Sequence, residues 1–231
     1  KRLTIGMLAH VDSGKTTLSE AMLFRAGAVR RLGRVDHGDA FLDTEEQERE
    51  RGITIFSKQA RLEWKDCRIT LLDTPGHVDF SAETERAVQV MDYAVLLISG
   101  SDGVQGHTET LWKLLERHRV PTFLFINKMD QPDTDRGALM AQLRARLSDG
   151  CADFSGDWGE AVEQAALCDE ELMERYLETG ELDDADLSAL VVERRLFPCW
   201  FGAALKVEGV DGLLDGLARF ALEPDWPERF A

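Results

Sequence analysis

The sequence predicts an α/β fold with a doubly wound, mostly parallel sheet, and three observations support that prediction. Short apolar runs rich in Ile, Val and Leu alternate with helix-like stretches, which is typical of strands buried on both faces. One run, Arg61–Trp64, alternates apolar and polar residues and is predicted to pair antiparallel with Ile69–Asp73 at an edge of the sheet. Polar motifs that contain glycine follow several of the runs, where such sheets bind ligands.

The predicted sheet has six strands, and helix candidates lie between most of them. The strands are Leu3–Leu8, Arg61–Trp64, Ile69–Asp73, Ala94–Ser99, Thr122–Asn127 and Phe197–Phe201. The helices are Lys15–Ala26, Ala82–Val90, His107–Arg119, Thr134–Leu147 and Val210–Phe220. This alternation predicts a single domain over residues 1–231.

Two segments interrupt the alternation of strands and helices. Arg30–Ile55 is long and polar, and a loop of that length is usually functional. Asp149–Asp186 is strongly acidic, with Arg175 as its only basic residue. Helical spacing over Glu160–Cys168 and Glu170–Leu177 predicts a small acidic helical insertion at about 149–193. The alternative is a solvated acidic face with no specific role.

Composition narrows the classes of function. The chain has 231 residues, enough for one large domain with a substantial core, and a net charge of −16. That charge argues against a domain that holds nucleic acid by broad neutralisation of phosphates. The four cysteines are far apart and form no C-x-x-C pair, which disfavours a disulfide framework or a zinc site. Apolar runs of membrane-spanning length and a secretory segment are both missing, so we expect a cytoplasmic protein that does not associate with membranes.

The run A-H-V-D-S-G-K-T lies between the first strand and the first helix, which is the setting of a phosphate-binding loop. Backbone N–H groups of the loop and of the helix N-terminus are predicted to bind phosphate oxygens. Lys15 would add a positive charge between the β- and γ-phosphates, and the Thr16 hydroxyl would ligate Mg²⁺. The predicted phosphate-binding residues are His10, Val11, Asp12, Ser13, Gly14, Lys15, Thr16 and Thr17, with Gly76 from a second motif.

The second motif, D-T-P-G-H over Asp73–His77, follows the third predicted strand. Asp73 is placed to hold Mg²⁺ through water, and Gly76 leaves its N–H free to approach the γ-phosphate. By itself the run could be an ordinary turn. A further motif, R-G-I-T-I over Arg51–Ile55, places Thr54 to meet Mg²⁺ and the γ-phosphate, or else is a turn that enters a strand.

The motif N-K-M-D over Asn127–Asp130 predicts the choice of base. The carboxylate of Asp130 can accept from the ring N–H and the exocyclic amine of guanine, and adenine presents neither donor in that arrangement. Asn127 and the stem of Lys128 would brace the loop and cover the base. A weaker motif, Gly202–Lys206, either offers backbone N–H groups to the guanine oxygen or is simply the exit of the last strand. Its candidate residues are Ala203, Ala204 and Leu205.

Together these motifs resemble those of the translational GTPases, a branch of the Ras-like P-loop GTPases that includes elongation factor G, over essentially the whole chain. The resemblance implies a Ras-like fold, Mg²⁺-dependent hydrolysis of GTP to GDP, and contact with an RNA loop of the large ribosomal subunit. It also implies that the full-length protein continues into later domains and that the isolated domain is monomeric. Ala203 stands where the family usually has serine, which puts one contact of the base loop in doubt.

The resemblance also assigns roles in catalysis. It implies that His77 orients the attacking water, and that Val11 and Ile53 form an apolar gate that keeps His77 out until the ribosome binds. Asp12 would bind a monovalent cation, K⁺ or Na⁺. The catalytic residues implied are therefore His77, Lys15, Thr54 and Asp12.

Within this family, the runs D-E-E-L-M-E-R-Y-L at 169–177 and L-F-P at 196–198 look most like the ribosomal protection tetracycline-resistance proteins. Three alternatives remain: a translocation or ribosome-recycling GTPase similar to elongation factor G, a GTP-dependent binding module with negligible hydrolysis, and an ATP-driven phosphate-loop enzyme. His77 and Thr54 argue against the binding module, and Asn127 with Asp130 argues against the ATP-driven enzyme.

Overall fold

The structure is a computed structural model that describes residues 1–33, 58–74 and 81–224. In these ranges seven strands form one sheet in the order β2-β3-β1-β4-β5-β7-β6. The strands are β1 (Arg2–Ala9), β2 (Lys58–Trp64), β3 (Cys67–Asp73), β4 (Tyr93–Ser99), β5 (Thr122–Asn127), β6 (Cys151–Asp153) and β7 (Phe197–Phe201). Neighbouring strands pair parallel except for β2 and β3, the antiparallel pair predicted at the edge. The predicted α/β fold class is confirmed.

Helices cover both faces of the sheet. They are α1 (Lys15–Arg25), α2 (Ser81–Val88), α3 (Gly106–Arg117), α4 (Arg136–Arg146), α5 (Trp158–Ala166), α6 (Glu170–Thr179), α7 (Asp184–Val192) and α8 (Val210–Phe220). Each predicted helix lies within about two residues of an observed one. None of the helices in the described ranges combines the length and apolarity needed to span a bilayer.

Two apolar clusters form the core, one on each face of the sheet. One cluster packs α1, α8 and the insertion helices against the sheet, with Leu18, Leu187 and Leu217 among its buried residues. The other packs α2, α3 and α4 against the opposite face and includes Leu115 and Leu143. Every residue of the central strand β4 is buried, which is why that strand is an unbroken apolar run in the sequence.

The insertion contains more structure than the sequence predicts. Strand β6 pairs parallel with β7, from Cys151 opposite Phe197 to Asp153 opposite Cys199, and makes the sheet seven-stranded rather than six-stranded. The three residues of β6 follow Asp149 and Gly150 and include Asp153, and so short a run shows no strand pattern. The third insertion helix, α7, was also missed, because its apolar residues do not form one helical stripe.

Candidate nucleotide-binding site

The predicted motifs meet at one edge of the sheet. Strands β1, β3, β4, β5 and β7 run parallel, so their carboxyl ends lie side by side. The register places Met7 beside Asp73, Ser99 beside Asn127, and Ile126 beside Phe201. The loops that follow β1, β3, β5 and β7 therefore share this carboxyl edge.

The phosphate loop leads into α1 without a capping side chain. Gly14, the residue before the helix, has left-handed backbone angles of φ 90° and ψ 31°. Asp12 also has a positive φ, 61°, and the N–H of Ser13 donates to the carbonyl of His10 over 3.2 Å. Because glycine has no side chain, it offers no capping acceptor to the first N–H groups of α1. A helix terminus of this kind favours an anion such as phosphate.

Lys15 and Asp73 form a buried ion pair beneath the loop. The Nζ of Lys15 donates to Oδ1 of Asp73, and the two side chains are 8% and 1% exposed. The second oxygen of Asp73, Oδ2, is buried and has no hydrogen-bond partner among the described residues. An unpaired buried carboxylate oxygen is costly and is suited to a further cation or donor.

These groups fit a magnesium ion. Mg²⁺ prefers oxygen ligands, keeps several waters, and is usually held by one or two protein groups together with substrate phosphates. Asp73 supplies the unpartnered oxygen, and the half-buried Thr16 follows Lys15 at the start of α1. The described residues contain no cluster of three or more His, Cys, Asp or Glu side chains able to hold a metal, and a nucleotide-linked magnesium site does not need one.

Asn127 joins the phosphate loop to the last loop of the edge. Its Nδ2 donates to the carbonyl of Ser13 over 2.9 Å, and its Oδ1 accepts from the N–H of Ala204 over 2.8 Å. Asn127 is only 3% exposed, and a Cβ added at Gly14 would lie 2.4 Å from its Nδ2. One amide therefore sets the spacing between the two loops and requires glycine at position 14.

The loop after β5 is held by backbone contacts and one ion pair. Lys128 has a left-handed φ of 63°, and the N–H of Met129 donates to the carbonyl of Gly202 over 3.0 Å. The carboxylate of Asp130 forms an ion pair with Lys206, in which Nζ lies 3.1 Å from Oδ2. Ala203 and Ala204 are buried in the adjacent loop, whereas the side chain of Leu205 is 49% exposed.

Two comparisons with known proteins bear on this arrangement. The sequence profile of a family described as Elongation factor Tu GTP binding domain matches residues 1–222. The chain belongs to this family. It is therefore a GTPase domain of the translation-factor type. A crystal structure of a protein from Thermus thermophilus matches with a TM-score of 0.86 at 27% sequence identity, over 99% of this chain. The chain spans 41% of the length of that protein.

Four predicted residues of the GTPase domain lie outside the described ranges. They are Ile53, Thr54, Gly76 and His77. Among the other described residues of the predicted phosphate loop, Asp12 is exposed, and Val11, Thr16 and Thr17 are half-buried. The ring of His10 lies 5.8 Å from that of His107, and its buried Nδ1 has no hydrogen-bond partner among the described residues.

Sequence reasoning missed two residues of the GTPase domain that the structure places at the edge. Thr74 is fully buried, and its hydroxyl donates to the carbonyl of Met7 over 2.7 Å, which ties the start of the D-T-P-G-H loop to β1. Lys206 pairs with Asp130 although it follows a different strand. The available sequence signals were the position of Thr74 after Asp73 at a strand end and the position of Lys206 at the end of the Gly202–Lys206 motif.

Proposed function

We propose that the full-length protein couples Mg²⁺-dependent GTP hydrolysis to ribosome binding, as the ribosomal protection tetracycline-resistance proteins do. The observation that supports guanine nucleotide binding most directly is the double contact of Asn127 with Ser13 and Ala204. That contact brings the loop that carries Asp130 next to the loop that carries Lys15. The resemblance in the sequence motifs supports the ribosomal part of the proposal.

The reaction is attack of water on the γ-phosphorus of GTP, with breakage of its bond to the β-phosphate oxygen and release of GDP and phosphate. Catalysis of this kind is mostly positioning and stabilisation of charge on the phosphate oxygens. Lys15 would leave Oδ1 of Asp73 and bind the β- and γ-phosphates. The N–H groups from Ser13 to Thr17, with that of Gly76, would bind the remaining phosphate oxygens.

Thr16 and Thr54 would hold Mg²⁺ directly, and Asp73 would hold it through water. When bound, the ion neutralises phosphate charge and fixes the phosphate oxygens. Asp130 would accept from the two guanine donors, with Asn127 bracing the loop, the stem of Lys128 covering the base, and the loop of Ala203, Ala204 and Leu205 facing the guanine oxygen.

The remaining assignments rest on the resemblance. His77 would orient the attacking water once the ribosome is bound, and Val11 and Ile53 would form the gate that excludes it beforehand. Asp12, which is exposed at the top of the phosphate loop, would bind K⁺ or Na⁺ and contact the large-subunit RNA loop. Since the domain carries a net charge of −16, this ribosome contact is small and other domains supply most of the affinity.

Base choice is tested by competition. Labelled GDP bound to the chain should be displaced by unlabelled GTP, and ATP should fail to displace it even at roughly a thousandfold excess, since Asp130 would be left without its donors. Lys15→Ala serves as a control that loses all nucleotides. Equal displacement by ATP and GTP would remove guanine recognition from the proposal.

The ribosomal part is tested by phosphate release. GTP hydrolysis by the full-length protein should rise by about a hundredfold or more with ribosomes, and His77→Ala should abolish that rise while leaving GTP affinity nearly unchanged. Retained stimulation in His77→Ala would discard the role of His77. Absence of stimulation in the unaltered protein would discard the coupling itself and favour a GTPase whose main activity is switching between binding states.

A translocation or recycling GTPase similar to elongation factor G is the second candidate, because residues 1–222 match a family named for an elongation factor. Expression of the full-length gene in bacteria separates the two. A resistance protein restores growth and translation under tetracycline, whereas a translocation or recycling factor complements loss of the corresponding housekeeping factor. A result of the second kind alone would overturn the resistance assignment.

A further inference from the structure

We propose that Lys206 is a positioning residue for base specificity, which holds the carboxylate of Asp130 in place for guanine. The inference rests on the proposed role of Asp130 in guanine recognition and extends it to Lys206, whose side chain has no role in the sequence prediction. Lys206 would not touch the nucleotide in this role. It would act through the carboxylate.

The contact is specific in this structure. Nζ of Lys206 lies 3.1 Å from Oδ2 of Asp130, and the two side chains are 53% and 24% exposed. Across the described residues, Lys206 is the only group that forms a hydrogen bond or ion pair with this carboxylate. Without Lys206, the orientation of the Asp130 side chain would be set by its rotamer preference alone.

The loop that carries Lys206 is held firmly by its own backbone. The N–H of Lys206 donates to the carbonyl of Ala203 over 2.9 Å, and Ala203 and Glu208 exchange two hydrogen bonds of 3.1 Å each. Val207 has a left-handed φ of 62°, which turns the chain back immediately after the lysine. The position from which the lysine side chain starts is therefore fixed.

The loop that carries Asp130 is equally well held. The N–H of Gln131 donates to the carbonyl of Lys128 over 3.1 Å, and the hydroxyl of Thr134 donates to the carbonyl of Met129 over 3.2 Å. With both backbones anchored, the ion pair restricts the one remaining freedom, the side-chain torsions of Asp130. Ordering a binding group before the ligand arrives lowers the entropic cost of binding.

Charge supports the same role. When a base covers Asp130, the carboxylate loses water, and a buried carboxylate needs a compensating cation or donors. A carboxylate has about four acceptor positions, so the lysine and the two guanine donors can be accommodated together. Lys206 therefore remains bound to Asp130 in the nucleotide complex.

The first test is a pair of substitutions at position 206. Lys206→Met keeps the length and apolar stem and removes the charge, and it should weaken GDP binding about three- to tenfold. Lys206→Arg should restore most of that affinity. Thermal unfolding of the nucleotide-free Met variant should match that of the unaltered chain. Unchanged GDP affinity in Lys206→Met would overturn the proposal.

A double-mutant cycle separates positioning from general support of the loop. Asp130→Asn exchanges an acceptor for a donor, so it should prefer xanthosine diphosphate, whose ring carries an oxygen where guanine carries the amine. In that background the neutral amide has no charge for Lys206 to hold, and Lys206→Met should leave xanthosine diphosphate binding unchanged. Equal losses for GDP and xanthosine diphosphate would show that Lys206 only supports the loop, and would overturn the proposal.

The same measurements distinguish this inference from the proposed function. If the unaltered chain binds ADP as well as GDP, guanine recognition by Asp130 fails and the inference fails with it. If the unaltered chain prefers GDP and Lys206→Met keeps that affinity, the inference alone fails.

Discussion

The acidic insertion and the nucleotide-binding edge differ in whether a side chain caps the first N–H groups of their helices. In the insertion, the carboxylates of Asp157, Asp169 and Asp183 accept from backbone N–H groups of α5, α6 and α7 over 3.0, 3.0 and 2.8 Å. At the nucleotide edge, α1 follows Gly14 and has no side chain at its N-cap.

The difference in capping indicates which backbone N–H groups are available to a ligand. A capped helix has satisfied its first donors within the protein, and part of the negative charge of the insertion serves this structural purpose. A missing cap alone does not define a site, because α8 also begins after a left-handed glycine, Gly209. What distinguishes α1 is the adjacent pair of Lys15 and Asp73, whose second carboxylate oxygen has no hydrogen-bond partner among the described residues.

The largest expected effect comes from Lys15→Ala. It removes the cation from the phosphate site and leaves the buried carboxylate of Asp73 unpaired, which should cost about 3–5 kcal/mol of stability and roughly a hundredfold or more in GDP affinity. Urea unfolding and nucleotide titration measure the two effects. The double variant Lys15→Ala with Asp73→Asn should recover stability and not binding. Recovery of both would show that the lysine supports the fold alone.

The next effect is that of Asn127→Ala. The carbonyl of Ser13 and the N–H of Ala204 would both lose a buried partner, at a total cost of about 2–4 kcal/mol, and the two loops would separate. GDP affinity should fall with stability. Gln142→Ala is the matched control. The side-chain amide of Gln142 lies outside the site and accepts a hydrogen bond of 2.9 Å from the N–H of Val104. An equal or larger loss of GDP affinity in the control would contradict the role of Asn127 in holding the two loops together.

A smaller effect is expected for Gly14→Ala, compared with Gly180→Ala at the end of α6. Both glycines have positive φ, 90° and 74°, so both alanines are strained by about 1 kcal/mol. Only the Cβ at position 14 also meets a neighbour, the Nδ2 of Asn127. Gly14→Ala should therefore lose more stability and, unlike Gly180→Ala, should lose GDP binding. Equal behaviour of the two variants would argue against close packing at the phosphate loop.

Removing a cap in the insertion should affect stability and spare the site. Asp157→Ala should cost about 1 kcal/mol in urea unfolding, with GDP affinity unchanged, because Asp157 caps α5 through the N–H of Glu160 and not through a residue of the carboxyl-edge motifs. Asp157→Asn keeps an acceptor oxygen and should restore most of the loss. A drop in GDP affinity in Asp157→Ala would instead link the insertion to the site.

The smallest expected effect is the loss of stability at acid pH that comes from ion pairs in the insertion. A hydrogen bond from Arg175 lowers the pKa of Asp186, and the N–H of Leu172 together with Arg195 lowers the pKa of Asp169. A lowered folded-state pKa contributes stability that is present above the unfolded pKa of about 4 and is lost as the pH falls through the folded value. Unfolding free energy should therefore fall more steeply below about pH 4 in the unaltered chain than in Asp186→Asn. Parallel curves would show that the pair contributes nothing.

Much of the fold follows from local pattern. The long apolar runs predict β4 and β5 because those strands are buried along their whole length. The three-residue strand β6 and the helix α7 could not be predicted in this way, since the pairing of β6 with β7 is set by tertiary contacts. A periodic apolar pattern in the sequence reveals an element with one buried face, and the apolar residues of β6 and α7 form no such pattern.

For the candidate site as well, the sequence predicts some features and leaves others undetermined. Motif order indicates which loops gather at the carboxyl edge, and the contacts of Asn127 are consistent with that order. The pairing of Lys15 with Asp73 and of Lys206 with Asp130 depends on how side chains from separate strands meet. These side-chain contacts depend on strand order and register, which the sequence motifs do not specify.

The ion pair between Lys15 and Asp73 also has a consequence for the order of events between rounds of hydrolysis. In the structure each of these charges neutralises the other. In the proposed reaction an incoming phosphate would draw the lysine away, and Asp73 would lose this counter-charge. Nucleotide without magnesium should thus bind weakly, and the two should enter and leave as a single unit.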